Sequence, residues 1–211
     1  MTKDDLLKFC HQGQIRPFLR EPHNDGANTY CSNGYLAIRI PRIIEGTAGP
    51  VLPGESPIPA VFQKYAAEGD KYEYVALPET PPAEDCPDCE GTGVQYDCKA
   101  CNGTGTLPGN DDEDCPKCDG SGRAANKADG KVASCWHCDG SGNKEHQPVQ
   151  MPNGQYIARR FLELLATLPG IAVSTMPPPS DDPYQYYPLR FTFSENGEAF
   201  CMPLIWPRLP T

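Results

Sequence analysis

The sequence predicts an α+β protein in which one host domain, helices on an antiparallel sheet built from residues 1–84 and 147–211, is interrupted by an insertion at residues 85–146. Three observations predict it. Four copies of Cys-x-x-Cys-x-Gly-x-Gly lie between Cys86 and Gly142, as CPDCEGTG, CKACNGTG, CPKCDGSG and CWHCDGSG, and hold eight of the eleven cysteines. Helix and hairpin fragments flank this stretch on both sides, and neither side has enough of them to bury a core alone, so one split domain is the simplest solution. The proline-rich PETPPAED marks the boundary where the host gives way to the insertion.

Each copy places two thiols on one tight turn, and two copies together offer the four sulfurs of a closed tetrahedral zinc site. Eight ligands, Cys86, Cys89, Cys98, Cys101, Cys115, Cys118, Cys135 and Cys138, therefore predict two structural zinc ions. The glycines suit a backbone that folds closely around a metal. Spacing alone leaves the pairing of copies open between sequence neighbours and a nested arrangement. The insertion has few large apolar residues, chiefly Val94, Tyr96, Leu107, Val132 and Trp136, so burial cannot fold it. Metal must, at about 10–16 kcal/mol per structural site.

The four tandem copies resemble the cysteine-rich zinc domain of DnaJ-type co-chaperones, over about a third of the chain. The resemblance implies a long two-zinc finger in which the first copy shares its zinc with the fourth and the second with the third. That would group Cys86, Cys89, Cys135 and Cys138, then Cys98, Cys101, Cys115 and Cys118. Such nesting would also bring the ends of the insertion together, as the split host requires. Two departures are evident: Arg123 to Ser134 is long for the family, and no His-Pro-Asp tripeptide of a J-domain occurs. Recruitment of an Hsp70-type ATPase is therefore not implied.

In chain order, Thr2 with Asp5 predicts a capped first helix whose apolar face is Leu6, Leu7, Phe9 and Cys10, ending near Gly13. Residues 27–40 read as a hairpin around Asn33-Gly34, with Leu36, Ile38 and Ile40 on its buried face. Residues 46–59 are too rich in proline and glycine to be anything but a loop. A short helix at 60–67 and a strand at 71–77 complete the first half. After the insertion, Ile157, Phe161, Leu164, Leu165 and Leu168 recur at helical spacing, which predicts a helix from Gln155 to Pro169-Gly170. Strands are expected at 171–176, at 189–193 and, across Asn196-Gly197, at 199–203. The run NGYLAIRIPR, the helix ending LATLPG, then PLRFTF and AFCMPL are together similar to one domain of bacterial sliding clamps. A clamp ring needs several such domains, so that resemblance implies a homo-oligomer.

Net charge is −10, and residues 85–146 hold 12 acidic against six basic residues. A negative surface repels phosphate backbones, which disfavours nucleic acid except inside a clamp-like ring and points to a protein partner. The start MTKDDLLKFC has acidic residues where a signal peptide is basic, and no stretch approaches a membrane span, so a cytoplasmic location with reduced thiols is expected. Cys10, Cys31 and Cys201 fall on apolar faces and read as small buried hydrophobes. His137, between two cysteines, is surplus to a four-sulfur site. Trp136 either packs on the opposing knuckle or anchors a partner. The acidic run Asp111, Asp112, Glu113 and Asp114 is either a solvated loop or an attractor of a basic partner. Tyr184, Tyr186 and Tyr187 are equally open to interaction or core covering. No phosphate loop, nucleophile elbow or HExxH occurs. The sequence thus reads as a non-enzymatic zinc protein binding other proteins, in the DnaJ-like version unfolded clients. The alternative is a clamp-like accessory factor in phage or bacterial DNA metabolism, and a thiol-disulfide redox protein ranks last.

Overall fold

A computed structural model describes residues 1–11, 19–50, 58–66, 73–107, 109–124, 132–135, 137–138, 140–144, 146–177, 187–194 and 196–204. It is mixed α/β, mostly sheet with few helices. The chain divides into two compact units, Met1–Pro81 with Pro148–Thr211, and Pro82–Gln147.

The first unit opens with α1 (Lys3–Leu7), held by a reciprocal capping box: the Asp5 amide donates to Thr2 Oγ1 at 3.3 Å, and the Thr2 amide donates to the Asp5 carboxylate at 2.9 Å. Next come β1 (His23–Asn24), β2 (Thr29–Ser32), β3 (Leu36–Ile40), β4 (Ala48–Pro50), α2 (Ile58–Ala66) and β5 (Tyr74–Ala76). The second unit contributes β6 (Val94–Asp97), β7 (Thr106–Leu107), β8 (Asn110–Asp114), β9 (Arg123–Ala124) and β10 (Val132–Ser134). The chain then returns through β11 (Pro148–Gln150), β12 (Tyr156–Ala158), α3 (Arg159–Leu165), β13 (Ala172–Ser174), β14 (Leu189–Phe193) and β15 (Gly197–Cys201).

Strands from both halves interleave in one eight-stranded sheet, ordered β4-β1-β2-β3-β15-β14-β13-β5. All its pairings are antiparallel except β1 with β4. The joint between the halves is β3 against β15, in register Ile38 with Ala199. Period-two alternation gives the sheet two different faces. Leu36, Ile38, Ile40, Ala199, Cys201, Leu189 and Phe191 form the main core with Leu6 and Phe9 of the N-terminal segment and Phe161, Leu162 and Leu165 of α3. Cys10 and Cys31 are buried in the same core. On the other face, Phe62 of α2 packs on Tyr30 and Phe200. Beside them Glu198 is paired by both Arg39 and Arg190, whose guanidinium groups lie over the Phe62 and Phe200 rings.

Three expectations are corrected. The helix expected from Gln155 begins only at Arg159, because Tyr156–Ala158 pair with Pro148–Gln150 instead, across a turn closed by the Met151 amide donating to the Gln155 carbonyl at 2.8 Å. Ile157 is fully buried, but on a strand; its spacing to Phe161 matched a helical period by coincidence. Within the expected loop at 46–59, Ala48–Pro50 form an edge strand, recruited by Asn24 Nδ2 donating to the Ala48 carbonyl at 2.8 Å. The last strand starts at Gly197 and ends at Cys201, two residues earlier at each end, because it follows β14 in register from Phe193 opposite Gly197. The tyrosines Tyr184 and Tyr186 lie outside the described residues.

The loop between β1 and β2 is organised by Asp25, whose carboxylate accepts the Ala27 and Asn28 amides at 2.9 and 2.7 Å and the Tyr30 hydroxyl at 2.7 Å. Partial burial opposes its ionisation, but these donors outweigh it and bring the carboxyl down to about 2. A depressed folded-state pKa contributes stability above the unfolded value of about 3.9, and loses it as pH falls through about 2. Asp25→Ala should therefore lower host stability by about 1 kcal/mol at neutral pH, the value of a solvent-screened hydrogen-bond set. In urea titrations of wild type and variant the difference should shrink as the pH is lowered from 5 to about 2. A difference independent of pH would contradict this role.

Candidate metal centres

Each of the four knuckles is built by the same local bonds. In the first, the Gly91 amide donates to the Cys86 carbonyl, the Thr92 amide to the Cys89 carbonyl at 3.0 Å, and the Gly93 amide to the Cys89 sulfur at 3.3 Å. The equivalent amide-to-sulfur bonds are Gly105 to Cys101, Gly122 to Cys118 and Gly142 to Cys138, at 3.2–3.3 Å. The hydroxyls of Thr92, Thr104 and Ser121 donate to the carbonyl of the second cysteine, at 2.6–2.8 Å. The residue after that cysteine is left-handed, φ about 52° at Glu90, Asn102 and Asp119, and the following glycine is left-handed too.

The eight cysteines gather in two groups, Cys86, Cys89, Cys135 and Cys138 in centre 1, and Cys98, Cys101, Cys115 and Cys118 in centre 2, each with all four sulfurs within 4.8 Å of one another. The knuckles are thus nested, first with fourth and second with third. All eight are free thiols. Sulfur separations are 3.9 Å for Cys86–Cys135, 3.7 Å for Cys89–Cys138, 4.0 Å for Cys98–Cys115 and 3.8 Å for Cys101–Cys118. A tetrahedral ion with Zn–S bonds of about 2.3 Å needs sulfurs about 3.8 Å apart. Both groups fit two structural zinc ions, four thiolates to each.

Ionisation points the same way. Burial opposes the thiolate at Cys101, yet the Gly105 amide and neighbouring thiols bring it down to about 6, while burial and proton sharing push Cys118 up to about 11. In centre 1 the Gly142 amide offsets burial and brings Cys138 down to about 7, and Cys135 rises to about 12. In each centre one thiol is brought down while another holds its proton more tightly. Four thiolates together require a bound cation.

What pairs the knuckles is backbone. The amides of Cys86 and Cys135 donate to the carbonyls of Gly142 and Gly93, at 2.8 and 2.9 Å, so each knuckle of centre 1 caps the other. Centre 2 repeats this with Cys98 to Gly122 at 2.8 Å and Cys115 to Gly105 at 2.7 Å. At these contacts a Cβ on Gly93, Gly105, Gly122 or Gly142 would stand 2.3–2.4 Å from a carbonyl oxygen of the opposing knuckle. The last glycine of each copy is therefore a docking surface as well as a turn residue.

Three supports were not visible in the motif. Asp85, Asp97 and Asp114, each directly before the first cysteine of a copy, set their carboxylates against the first glycine, Gly91, Gly103 and Gly120, where a Cβ would fall 2.8–3.2 Å from them. The acidic residue recurring before three of the four copies was a readable signal. Gln147, buried, ties the insertion's two ends: it accepts the Glu84 amide and donates to the Pro82 carbonyl, both at 3.0 Å, next to the Asp85–Asn143 bridge. Gln95, also buried, donates to the Asp88 carbonyl at 3.2 Å. Residues Asp111 and Asp112 lie in strand β8, not a loop, and Glu113 and Asp114 beside them are exposed. His137 contacts the Asp88 carboxylate at 3.3 Å and is no ligand. Trp136 lies outside the described residues.

Two substitutions test the docking. Gly93→Ala and Gly142→Ala should each abolish high-affinity zinc binding at centre 1, leaving about one zinc per chain, because the added methyl has only fixed backbone to displace. Gly109→Ala, where a Cβ meets nothing within 4 Å, carries only the left-handed strain and should retain both ions. Zinc content by mass spectrometry under native conditions decides, and two zincs in Gly93→Ala would refute the contact's importance.

Comparison with known proteins gives no matching family model, no matching curated relative and no matching solved structure. Both family resemblances rest on the motifs already quoted.

Proposed function

We propose that this is a non-enzymatic, cytoplasmic zinc protein whose Pro82–Gln147 unit binds other proteins, with unfolded or partly folded chains as its clients. One observation supports this most: both metal groups offer four sulfurs apiece, which fills the tetrahedron and leaves no position for water or substrate. The metals then serve to hold a surface. That surface is acidic, with 12 acidic residues against six basic ones in residues 85–146, which favours basic or amphipathic protein segments over phosphate backbones. In this reading Asp111, Asp112 and Glu113 supply charge that the partner recognises, Trp136 supplies an aromatic anchor, and Asp114 divides its role between recognition and its approach to Gly120.

No described helix is long and apolar enough to cross a membrane. A second reading, a clamp-like homo-oligomer in DNA metabolism, is favoured by the open eight-stranded sheet, whose outer strands β4 and β5 each have one neighbour among the described residues.

The test compares the intact chain with one in which residues 82–147 are replaced by a short flexible linker, after circular dichroism has shown that the host still folds. The zinc-loaded intact protein should slow aggregation of a chemically denatured client and capture proteins from lysate, and the shortened one should do neither. Capture that persists without the finger would move recognition to the host. A stable multimer of ring size would support the clamp-like reading.

A further inference from the structure

We propose that His23 is an acid-sensitive latch on the β4-β1 edge of the host sheet: neutral, it holds the edge closed, and protonated, it opens it. His23 is 3% exposed, and neither ring nitrogen has a hydrogen-bond partner among the described residues. Most buried polar groups are paired, so an imidazole left in this way needs a reason. It sits where two pairings meet, opposite Tyr30 of β2 on one side and Ala48 of β4 on the other. Its ring lies against that of Tyr30, with centroids 5.7 Å apart and planes inclined by 24°.

What surrounds the ring decides which form it can hold. The nearby carboxylate, Asp25, is already occupied by the Ala27 and Asn28 amides, the Asn28 side chain and the Tyr30 hydroxyl. Tyr30 therefore offers His23 a ring face and no acceptor. From α2 the residue that reaches this cluster is Phe62, against Tyr30, while Lys64 is exposed. In the same cross-strand row Arg39 follows Tyr30, and it is committed to Glu198. Glu21, two residues before His23, is exposed and paired with Lys3 at 3.5 Å. Strand β4 contributes no titratable side chain. A cation on this ring would exchange water for an aromatic face and an occupied carboxylate. Burial outweighs the attraction of Asp25 and keeps the imidazole pKa below its ordinary 6.5.

Opening lets the ring reach water. The open edge then takes up a proton at about 6.5 and the closed edge does not, so the closed form is favoured above that pH and loses ground as pH falls below it. Between pH 7.5 and 5.5 the open population should rise about tenfold, one proton per opening. Asp25 acts in a separate window, since its carboxyl is held down to about 2. The opening is local. Strand β1 has two residues and β4 three, at one end of the sheet, whereas β2 keeps its pairing with β3 from Thr29 to Ser32.

The test follows amide hydrogen exchange in the full zinc-loaded chain by NMR at pH 7.5 and 5.5, corrected for the intrinsic exchange rate. The reporter is Ala48, whose amide donates to the Pro22 carbonyl at 3.0 Å, and Ile38 in the middle of β3 is the internal reference. Expected are an about tenfold loss of protection at Ala48 with little change at Ile38, and a His23 imidazole that stays neutral at pH 5.5 in the closed form. His23→Phe keeps a stacked ring and removes the proton site, so Ala48 protection should hold constant over the same range. Acid also weakens thiolate ligation, and this comparison separates His23 from the zinc centres. Unchanged protection at Ala48 in the wild type, equal losses at Ala48 and Ile38, the same loss in His23→Phe, or a His23 imidazole protonated at pH 5.5 with the edge still closed would each overturn the proposal. If His23→Phe does not fold, the imidazole titration and the Ala48-to-Ile38 comparison in the wild type decide alone.

Discussion

The second unit depends on one constraint: two knuckles can close on a metal only if their last glycines pass each other's carbonyls without a side chain. Each approach, Gly93 over Gly140 and Gly142 over Gly91 in centre 1, Gly105 over Gly120 and Gly122 over Gly103 in centre 2, leaves no room for a Cβ. The same approach aligns the reciprocal amide bonds from Cys86, Cys135, Cys98 and Cys115. Metal and backbone therefore specify one another. Zinc draws the sulfurs to tetrahedral spacing, and the glycine contacts let the two knuckles close on it. A segment with few buried apolar side chains gains its stability this way, since each structural site contributes on the order of 10 kcal/mol.

The host unit is stabilised by different means. Its sheet takes strands from both sides of the insertion and joins them at β3 and β15, so neither half has a core without the other. One face is apolar and carries the N-terminal segment and α3; the other combines aromatic packing of α2 with the Arg39–Glu198–Arg190 cluster. Two arginines on one glutamate, both stacked over phenylalanines, satisfy charge in a partly buried setting where an unpaired carboxylate would be costly. Within the second unit, the Gln147 bonds to the Glu84 amide and the Pro82 carbonyl hold the two ends of the insertion together.

The metal ligands were legible because cysteine pairs at fixed spacing have one dominant chemistry. The hairpin around Asn33-Gly34 was legible too, since its turn residues and the alternation of Leu36, Ile38 and Ile40 agree. The pairing of knuckles was not legible from spacing, because all four copies carry the same glycines; the resemblance implied the nested set, and the sulfurs group that way. Ile157 misled because a residue four positions before Phe161 satisfies a helix and a strand–helix junction alike. Strands β1 and β4, two and three residues long, exist through Asn24 and their neighbours and carry no periodicity of their own. Gln147 and Gln95 have no sequence signature, as a buried glutamine is recognised only by what it ties together.

The most direct test replaces zinc with cadmium-113 and correlates each metal resonance with the cysteine β-protons coupled to it. Two resonances are predicted, one coupled to Cys86, Cys89, Cys135 and Cys138, the other to Cys98, Cys101, Cys115 and Cys118. A resonance that joined Cys86 and Cys89 to Cys98 and Cys101 would contradict the nested pairing, and with it the docking of Gly93 against Gly140 and of Gly105 against Gly120.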